Sequence, residues 1–466
     1  MDRSYMLLIT DAKIITGKDN SILKDASIII KGKIITNILL TRPSPSIVSS
    51  ADTIIDTEGN TVIPGIINHH AHGVTGGPLF PSGDVPLPNE KVFENLDQHM
   101  LEGTTTLLNL DGFATIEEVD NTKKHHPMNL KTATSHTPLN LKAAELADGS
   151  GLQEKHKKTS VYHMIKKGSV AIGEIGSGAT LGGMGQDYLY IPDAIKERTG
   201  IGINVGQARA LKEAVLGKYI DRSCFNPMET ARIVKNIGLS SKLTAEEAKK
   251  LIEETVLPSF ETALKGIEEG AVFAKKYHVP TIIHNAAASK KIVLQVAEEF
   301  SASVNIIAAH CNHSSLETKE ALDHARKLKQ CGVAIDICSG DFFRARRLFD
   351  SLETTFMFLK ERLADVISTD YMGGFHDPIL LIIKKAVEEE VISLPEAISM
   401  ATWNVAKRIP KLAPNRGTLA LGKVADIAIL DKDDISKVNT VIIDGKVTVE
   451  KGEIRKNCED VLSTRD

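Results

Sequence analysis

The stretch Ile66-Ile67-Asn68-His69-His70-Ala71-His72-Gly73 runs from apolar residues straight into a cluster of imidazoles. Side chains alternate along an extended strand, so residues two apart point the same way. His70 and His72 can therefore reach one ion, while His69 faces elsewhere and is a neighbour rather than a third ligand. Two imidazoles do not complete a metal's ligand shell, so further donors must come from other strands.

Through the middle of the chain an apolar run followed by a helical stretch repeats, which is the pattern of a parallel sheet with crossover helices. Strands are predicted over 62–68, 104–110, 131–136, 170–175, 280–285, 304–310, 333–338 and 365–370. Eight in this order give an α/β fold, a (β/α)8 TIM barrel, in which chemistry sits at the carboxyl ends of the strands. Those ends are polar here. Strand 4 ends in Gly173-Glu174-Ile175, strand 5 in Ile283-His284-Asn285, strand 6 in Ala309-His310-Cys311 and strand 8 in Ser368-Thr369-Asp370. Imidazole and carboxylate donors suit two divalent ions, zinc first and iron or manganese next. The strands assign one ion to His70, His72 and Asp370 and a second to His284 and His310. Glu174 bridges them, because a carboxylate has two oxygens. Asp365 begins strand 8 and lies at the wrong end.

Residues 6–58 are short segments rich in Ile, Val and Thr between turn signals, and the same texture returns at 425–430 and 438–449. Both termini are thus expected to build one small β-sandwich domain, 1–62 with 415–466, around a barrel of 63–414. Residues 178–279 form an insert far longer than a plain βα unit needs. Its start, Gly182-Gly183-Met184-Gly185-Gln186-Asp187, has the texture of an active-site lid, and the rest reads as extra helices for packing or oligomer contacts.

The 466 residues carry a formal net charge of -4, with 42% hydrophobic and 25% charged residues, a soluble globular composition. No basic stripe suits a phosphate backbone, so nucleic acid is not an expected partner. No apolar run approaches the roughly 20 residues of a membrane span, and residues 1–16 do not read as a signal peptide. A cytoplasmic homo-oligomer acting on a small molecule is expected. Cys224, Cys311, Cys331, Cys338 and Cys458 have no CxxC spacing and read as reduced thiols.

A water held between two divalent ions loses its proton near neutral pH, and Asp370 beside it can act as general acid and base. His136, at the end of strand 3, is the second catalytic candidate, as a donor to a tetrahedral oxyanion. Asn109, Asp111, Asn312, His313 and Ser339 are weaker candidates for substrate contacts. Arg344, Arg346 and Arg347 could meet a substrate carboxylate, although arginines on a helix usually form a solvated face.

These ligands resemble those of the amidohydrolase superfamily. The resemblance extends to Val62-Ile63-Pro64-Gly65 before the paired histidines, to Ala401-Thr402-Trp403-Asn404-Val405-Ala406-Lys407, and to Gly417-Thr418-Leu419 with Leu421-Gly422-Lys423-Val424-Ala425-Asp426. It implies a metal-dependent hydrolase of C–N bonds. Many binuclear members bridge their metals with a carboxylated lysine from strand 4, but here Lys166 and Lys167 precede that strand and Glu174 lies on it. A bridging glutamate resembles enamidase and adenine deaminase. The resemblance thus implies hydrolysis of a cyclic amide or enamide, with deamination of a nucleobase-like ring as the alternative. A lactonase- or phosphotriesterase-like activity and a non-catalytic barrel rank lower.

Overall fold

The computed structural model describes residues 5–182, 185–343, 352–370 and 372–455. The β-branched runs of the amino-terminal part form β1 (Met6–Ile15), β2 (Ile22–Lys31), β3 (Ile34–Leu39), β4 (Thr53–Asp56) and β5 (Thr61–Pro64). The middle of the chain supplies β6 (Ile66–Ala71), β7 (Thr104–Asn109), β8 (Asn129–Thr132), β9 (Ile172–Ile175), β10 (Thr281–His284), β11 (Ile306–Ala309), β12 (Ala334–Cys338) and β13 (Val366–Ser368). The carboxyl-terminal part adds β14 (Ile427–Leu430), β15 (Val438–Ile443), β16 (Lys446–Glu450) and β17 (Glu453–Ile454).

Strands from both ends of the chain join in one nine-stranded sheet of order β17-β16-β15-β14-β5-β1-β2-β3, with β4 beside β1. Where two packed sheets were expected, one connected sheet forms. The reason lies in β1, whose irregularity between Ile9 and Ala12 brackets Asp11 at φ 54°. Before that bend β1 pairs in parallel with β4, and after it with β5. β5 then pairs antiparallel with β14, which draws the carboxyl-terminal strands into the same ladder.

The predicted run 62–68 is divided at Gly65 between two sheets. A Cβ there would lie 2.2 Å from Thr105 Oγ1, so the close approach of chain to chain admits only glycine. Residues before Gly65 belong to the terminal sheet, and those after it form β6, which carries His69 and His70 within it.

The eight strands β6 to β13 form two all-parallel sheets, β6-β7-β8 and β13-β12-β11-β10-β9. They do not make one continuous ladder. Single contacts cross each seam: Thr134 bridges Ile172 between β8 and β9, and the Asp370 N–H donates to the His70 carbonyl at 3.0 Å between β13 and β6. At the second seam a side chain replaces the ladder. Asn68 Nδ2 donates to Thr369 Oγ1 at 2.7 Å while its Oδ1 accepts the Thr369 N–H at 3.2 Å. Alternation along the strands separates two cores. Ile67, Leu108, Ala171, Ile282, Ile307 and Val366 gather in one, and their neighbours Ile66, Leu107, Ile172, Ile283, Ile306 and Ile367 pack in the other with the helices. Strands buried on both faces read as unbroken apolar runs, which is why the sequence shows them.

Within 178–279 lie the helices Ile191–Thr199, Val205–Leu216, Pro227–Asn236 and the 33-residue Ala245–Tyr277. The last serves as the crossover into β10 and packs on the helix Pro138–Ala147 and on β9. Leu211, Val215, Ile233 and Ile252 are buried in the helix-facing core, so these helices extend the packing. Glu320 ties the region to the helices that follow β10 and β11, pairing with Lys218 at 2.7 Å, with the Tyr219 hydroxyl at 2.7 Å and with Lys290. Among the described residues no helix is long and apolar enough to cross a membrane.

One buried histidine of the helix layer sets a pH response. His324 Nε2 donates to Asn285 Oδ1 at 3.0 Å, and burial, reinforced by the nearby Lys290 charge, depresses its pKa from 6.5 to about 4. The folded value lies below the unfolded one, so nothing is lost above pH 6.5. Below it the unfolded chain takes up a proton that the folded chain refuses, and stability falls by about 1.4 kcal/mol per pH unit until pH 4 is approached. Urea unfolding of chelator-treated protein should show His324→Gln gaining about 2 kcal/mol on wild type between pH 7 and pH 5. An equal acid response in both proteins would contradict this.

Candidate metal centre

Strict alternation fails within the histidine run, because β6 advances three residues from Asn68 to Ala71 while β7 advances two from Leu107 to Asn109. Such a bulge re-aims side chains. His69 brings its Nε2 to 3.3 Å from Asp336 Oδ1 and stays out of the donor set, as the sequence suggested. His70 and His72 bring their Nε2 atoms within 3.3 Å of each other.

Around those two atoms stand two carboxylate oxygens. Asp370 Oδ1 lies 3.3 Å from His70 Nε2 and 3.7 Å from His72 Nε2, and Glu174 Oε2 lies at 3.6 and 3.7 Å. A second group uses the other oxygen of the same glutamate: Glu174 Oε1 is 3.0 Å from His284 Nδ1 and 3.1 Å from His310 Nε2. Metal–ligand bonds of about 2.1 Å in a tetrahedron give edges of about 3.4 Å, so the first group is spaced to fit a divalent ion.

Backbone geometry aims two of these groups. His310 follows β11 at φ 35° and Asp370 lies two residues beyond β13 at φ 74°, both in the left-handed region that side chains disfavour. Asp336 Oδ2 holds the first by accepting the His310 N–H at 2.8 Å, and the His70 carbonyl holds the second.

Glu174, Asp370, Asp336 and Asp111 crowd this volume, and among the described residues their ion-pair partners are all histidines. Burial alone would strip the imidazoles of protons. Instead the surrounding carboxylates outweigh burial, raising His72 to about 10 and His310 to about 9. The Glu174 carboxyl is held well below its ordinary value, since His70 and the hydrogen bonds from His284 and His310 overcome the cost of burial. Asp370 is likewise depressed against burial, chiefly by His310 and His70. His284 itself goes down, because burial dominates there. Excess negative charge in a dry volume demands cations, and the donor set accepts either protons or metals.

The remaining candidates part company. His136 lies four residues beyond Thr132, where β8 stops, and not at the strand end. Its Nδ1 is 2.9 Å from Thr134 Oγ1, its Nε2 is buried without a hydrogen-bond partner, and burial, aided by His156, pushes its pKa down to about 3. The preceding Ser135 donates to the Glu174 carbonyl at 2.6 Å, which ties this segment to the site. His313 stays near the donors, with ring centroids 5.8 Å from His284 and 5.4 Å from His310. Asn109 cross-links strands through Thr132 Oγ1 at 3.2 Å. Asn312 spends both ends of its amide on Cys338 and Thr355, and Ser339 donates to the Asp377 carbonyl at 2.5 Å. Both are structural, so their expected substrate role is corrected. Lys166 and Lys167 end the helix Val161–Lys167 ahead of β9, and Arg344, Arg346, Arg347, Gly183 and Met184 lie outside the described residues.

Sequence reasoning missed Asp336 altogether and named Asp111 only as a weak candidate for substrate contact, not as a partner of a ligand. Asp336 lies on β12 beside His69, and Asp111 lies beside His72 at 3.1 Å. The one available signal was that Asp111 follows its strand by two residues, as Asp370 does. A separate group, His99, Glu102 and His376, also clusters. Its two imidazoles stack at 4.6 Å and 8°, and Glu102 Oε2 lies 2.6 Å from His376 Nε2. Parallel rings do not converge their lone pairs on one point, so this group reads as an ion pair beneath a neutral ring.

The chain resembles known proteins over nearly its whole length. It is 24% identical over 425 residues to imidazolonepropionase of Alkaliphilus oremlandii, covering 86% of this chain and 84% of that protein. It is 21% identical over 484 residues to 5-methylthioadenosine/S-adenosylhomocysteine deaminase of Caldanaerobacter subterraneus subsp. tengcongensis, covering 96% and 94%. Among solved structures, β-aspartyl dipeptidase of Fervidobacterium islandicum AW-1 superposes with a TM-score of 0.55 at 16% identity, over 98% of this chain and 99% of that one. Triazine hydrolase from Arthobacter aurescens gives 0.54 at 17%, over 99% and 98%. These two are likenesses of fold. The profile of the Amidohydrolase family matches residues 208–448, more than half of the chain, and with the geometry above it places this protein in the Amidohydrolase family.

Proposed function

We propose that the protein is a binuclear hydrolase of cyclic amides or enamides, with His70, His72 and Asp370 holding one divalent ion, His284 and His310 the other, and Glu174 joining them. The division of the two Glu174 oxygens between two donor groups carries this reading. The imidazole and carboxylate donors suit zinc first, with iron and manganese as the competing occupants. The reading also takes the eight parallel strands as a closed (β/α)8 barrel of about 63–414, with the terminal sheet as its companion domain. The enzyme is taken to act on a small molecule as a homo-oligomer in the cytoplasm.

When bound, two divalent ions make a shared water acidic and polarise a carbonyl. Asp370, ionised at neutral pH, accepts the proton of the attacking water and hands it to the leaving nitrogen as the C–O bond forms and the C–N bond breaks. Thr134 Oγ1 lies 3.4 Å from the His136 N–H that donates to it. Its own proton is thereby directed at Nδ1, and the neutral ring keeps a proton on Nε2 for an oxyanion. A carbonyl oxygen is what such a site polarises, and an amide has one where an amidine has none. The kinship with imidazolonepropionase points the same way.

Deamination of a nucleobase-like ring is the second reading, favoured by the likeness to the deaminase. Mass spectrometry separates the two: ring opening adds one water, whereas deamination exchanges NH for O and frees ammonia.

Asp370→Asn should keep its metal yet lose activity by about 10²–10⁴-fold in a screen of lactams and cyclic ureas; full activity with normal metal content would sink the mechanism. Metal analysis of wild type should give two ions per chain, and Glu174→Gln fewer. One ion per wild-type chain would remove the bridge.

A further inference from the structure

Asp111 occupies a position that the mechanism leaves unused. It lies two residues beyond β7, fully buried, and collects three donors: the His72 ring through Nδ1 at 3.1 Å, the Phe80 N–H at 3.0 Å and the Gly73 N–H at 3.1 Å. The Gly73 carbonyl is meanwhile held by Asn95 Nδ2 at 2.7 Å, so both backbone polar groups of that residue are fixed by side chains. Phe80, at φ 56°, sets its ring edge-on to His72 with centroids 5.1 Å apart.

We propose that Asp111 is a positioning residue: it fixes His72 as the tautomer whose Nε2 lone pair faces the cation, and it folds residues 73–80 so that Phe80 walls the site. The inference rests on the metal reading of the centre. An imidazole has two nitrogens, and a proton held on Nδ1 leaves Nε2 as the only donor. A carboxylate behind that ring also makes Nε2 a stronger ligand, as an uncharged acceptor would not. Nothing comparable stands behind His70, whose Nδ1 is buried without a partner. The dependence on Asp111 is therefore specific to one ligand of one ion.

Zinc binding to the full-length, chelator-stripped protein tests this by competition with a chromophoric chelator. Wild type should bind two equivalents. Asp111→Ala and Asp111→Asn should weaken one of the two by about 10–100-fold and leave the other, at His284 and His310, unchanged. The unaffected site is the internal measure of folding. Nitrogen NMR of the loaded protein should report His72 with Nδ1 protonated in wild type and a mixed tautomer in Asp111→Ala. Wild-type binding of two zincs with wild-type affinities in both variants overturns the assignment alone. Wild type that takes up no zinc overturns the metal reading and this assignment with it. If both variants fail to fold while His72→Ala folds, Asp111 serves the loop and not the ligand, and the assignment falls.

Discussion

Keeping a glutamate ionised where water does not reach is the constraint on which this site depends. A lone carboxylate would take a proton rather than pay for desolvation, yet Glu174 is held ionised by four imidazoles, two at each oxygen. Those imidazoles face a matching difficulty, because burial disfavours their charged forms. Asp111, Asp336 and Asp370 resolve it by adding more negative charge around them. Each group is stable only in the presence of the others, and the sum is a volume that calls for cations. That sum, and not any single histidine, makes the centre a candidate metal site.

The scaffold meets this demand by bending the backbone where regular strands would miss. A bulge in β6 turns consecutive histidines to different tasks, His69 to Asp336 and His70 to the donor group. Left-handed residues just past β11 and β13 swing His310 and Asp370 inward. Hydrogen bonds to both backbones hold those conformations, so the strain is stored in a rigid surround. The added helices between β9 and β10 thicken the helix layer and are pinned by Glu320 to the helices that follow β10 and β11.

The side chains that the fold groups together were legible in the sequence because their placement rests on local rules. Apolar runs buried on both faces announce parallel strands, and polar residues at their ends announce chemistry, as Glu174, His284 and His310 do. What escaped depends on non-local partners. The division at Gly65 follows from Thr105, 40 places along the chain, crowding that one Cα. Asn312 and Ser339 read as substrate contacts because their sequence neighbours are ligands, and only the fold shows their polar atoms spent on Cys338, Thr355 and Asp377. His136 reads from the sequence as a strand end, whereas β8 stops four residues earlier. The bulge in β6 left no mark in residue type at all, because the run His69-His70 reads the same with or without it.

The seam at Asn68 has a consequence for how the molecule comes together. Its amide joins residues 301 positions apart, and the same contact brings the His70 and Asp370 donors into one group. Contacts so distant in sequence form late, because the chain between them must be ordered before they are rewarded. The seam and the donor pair it carries therefore close together, and a chain whose seam is still open lacks the Asp370 carboxylate beside His70.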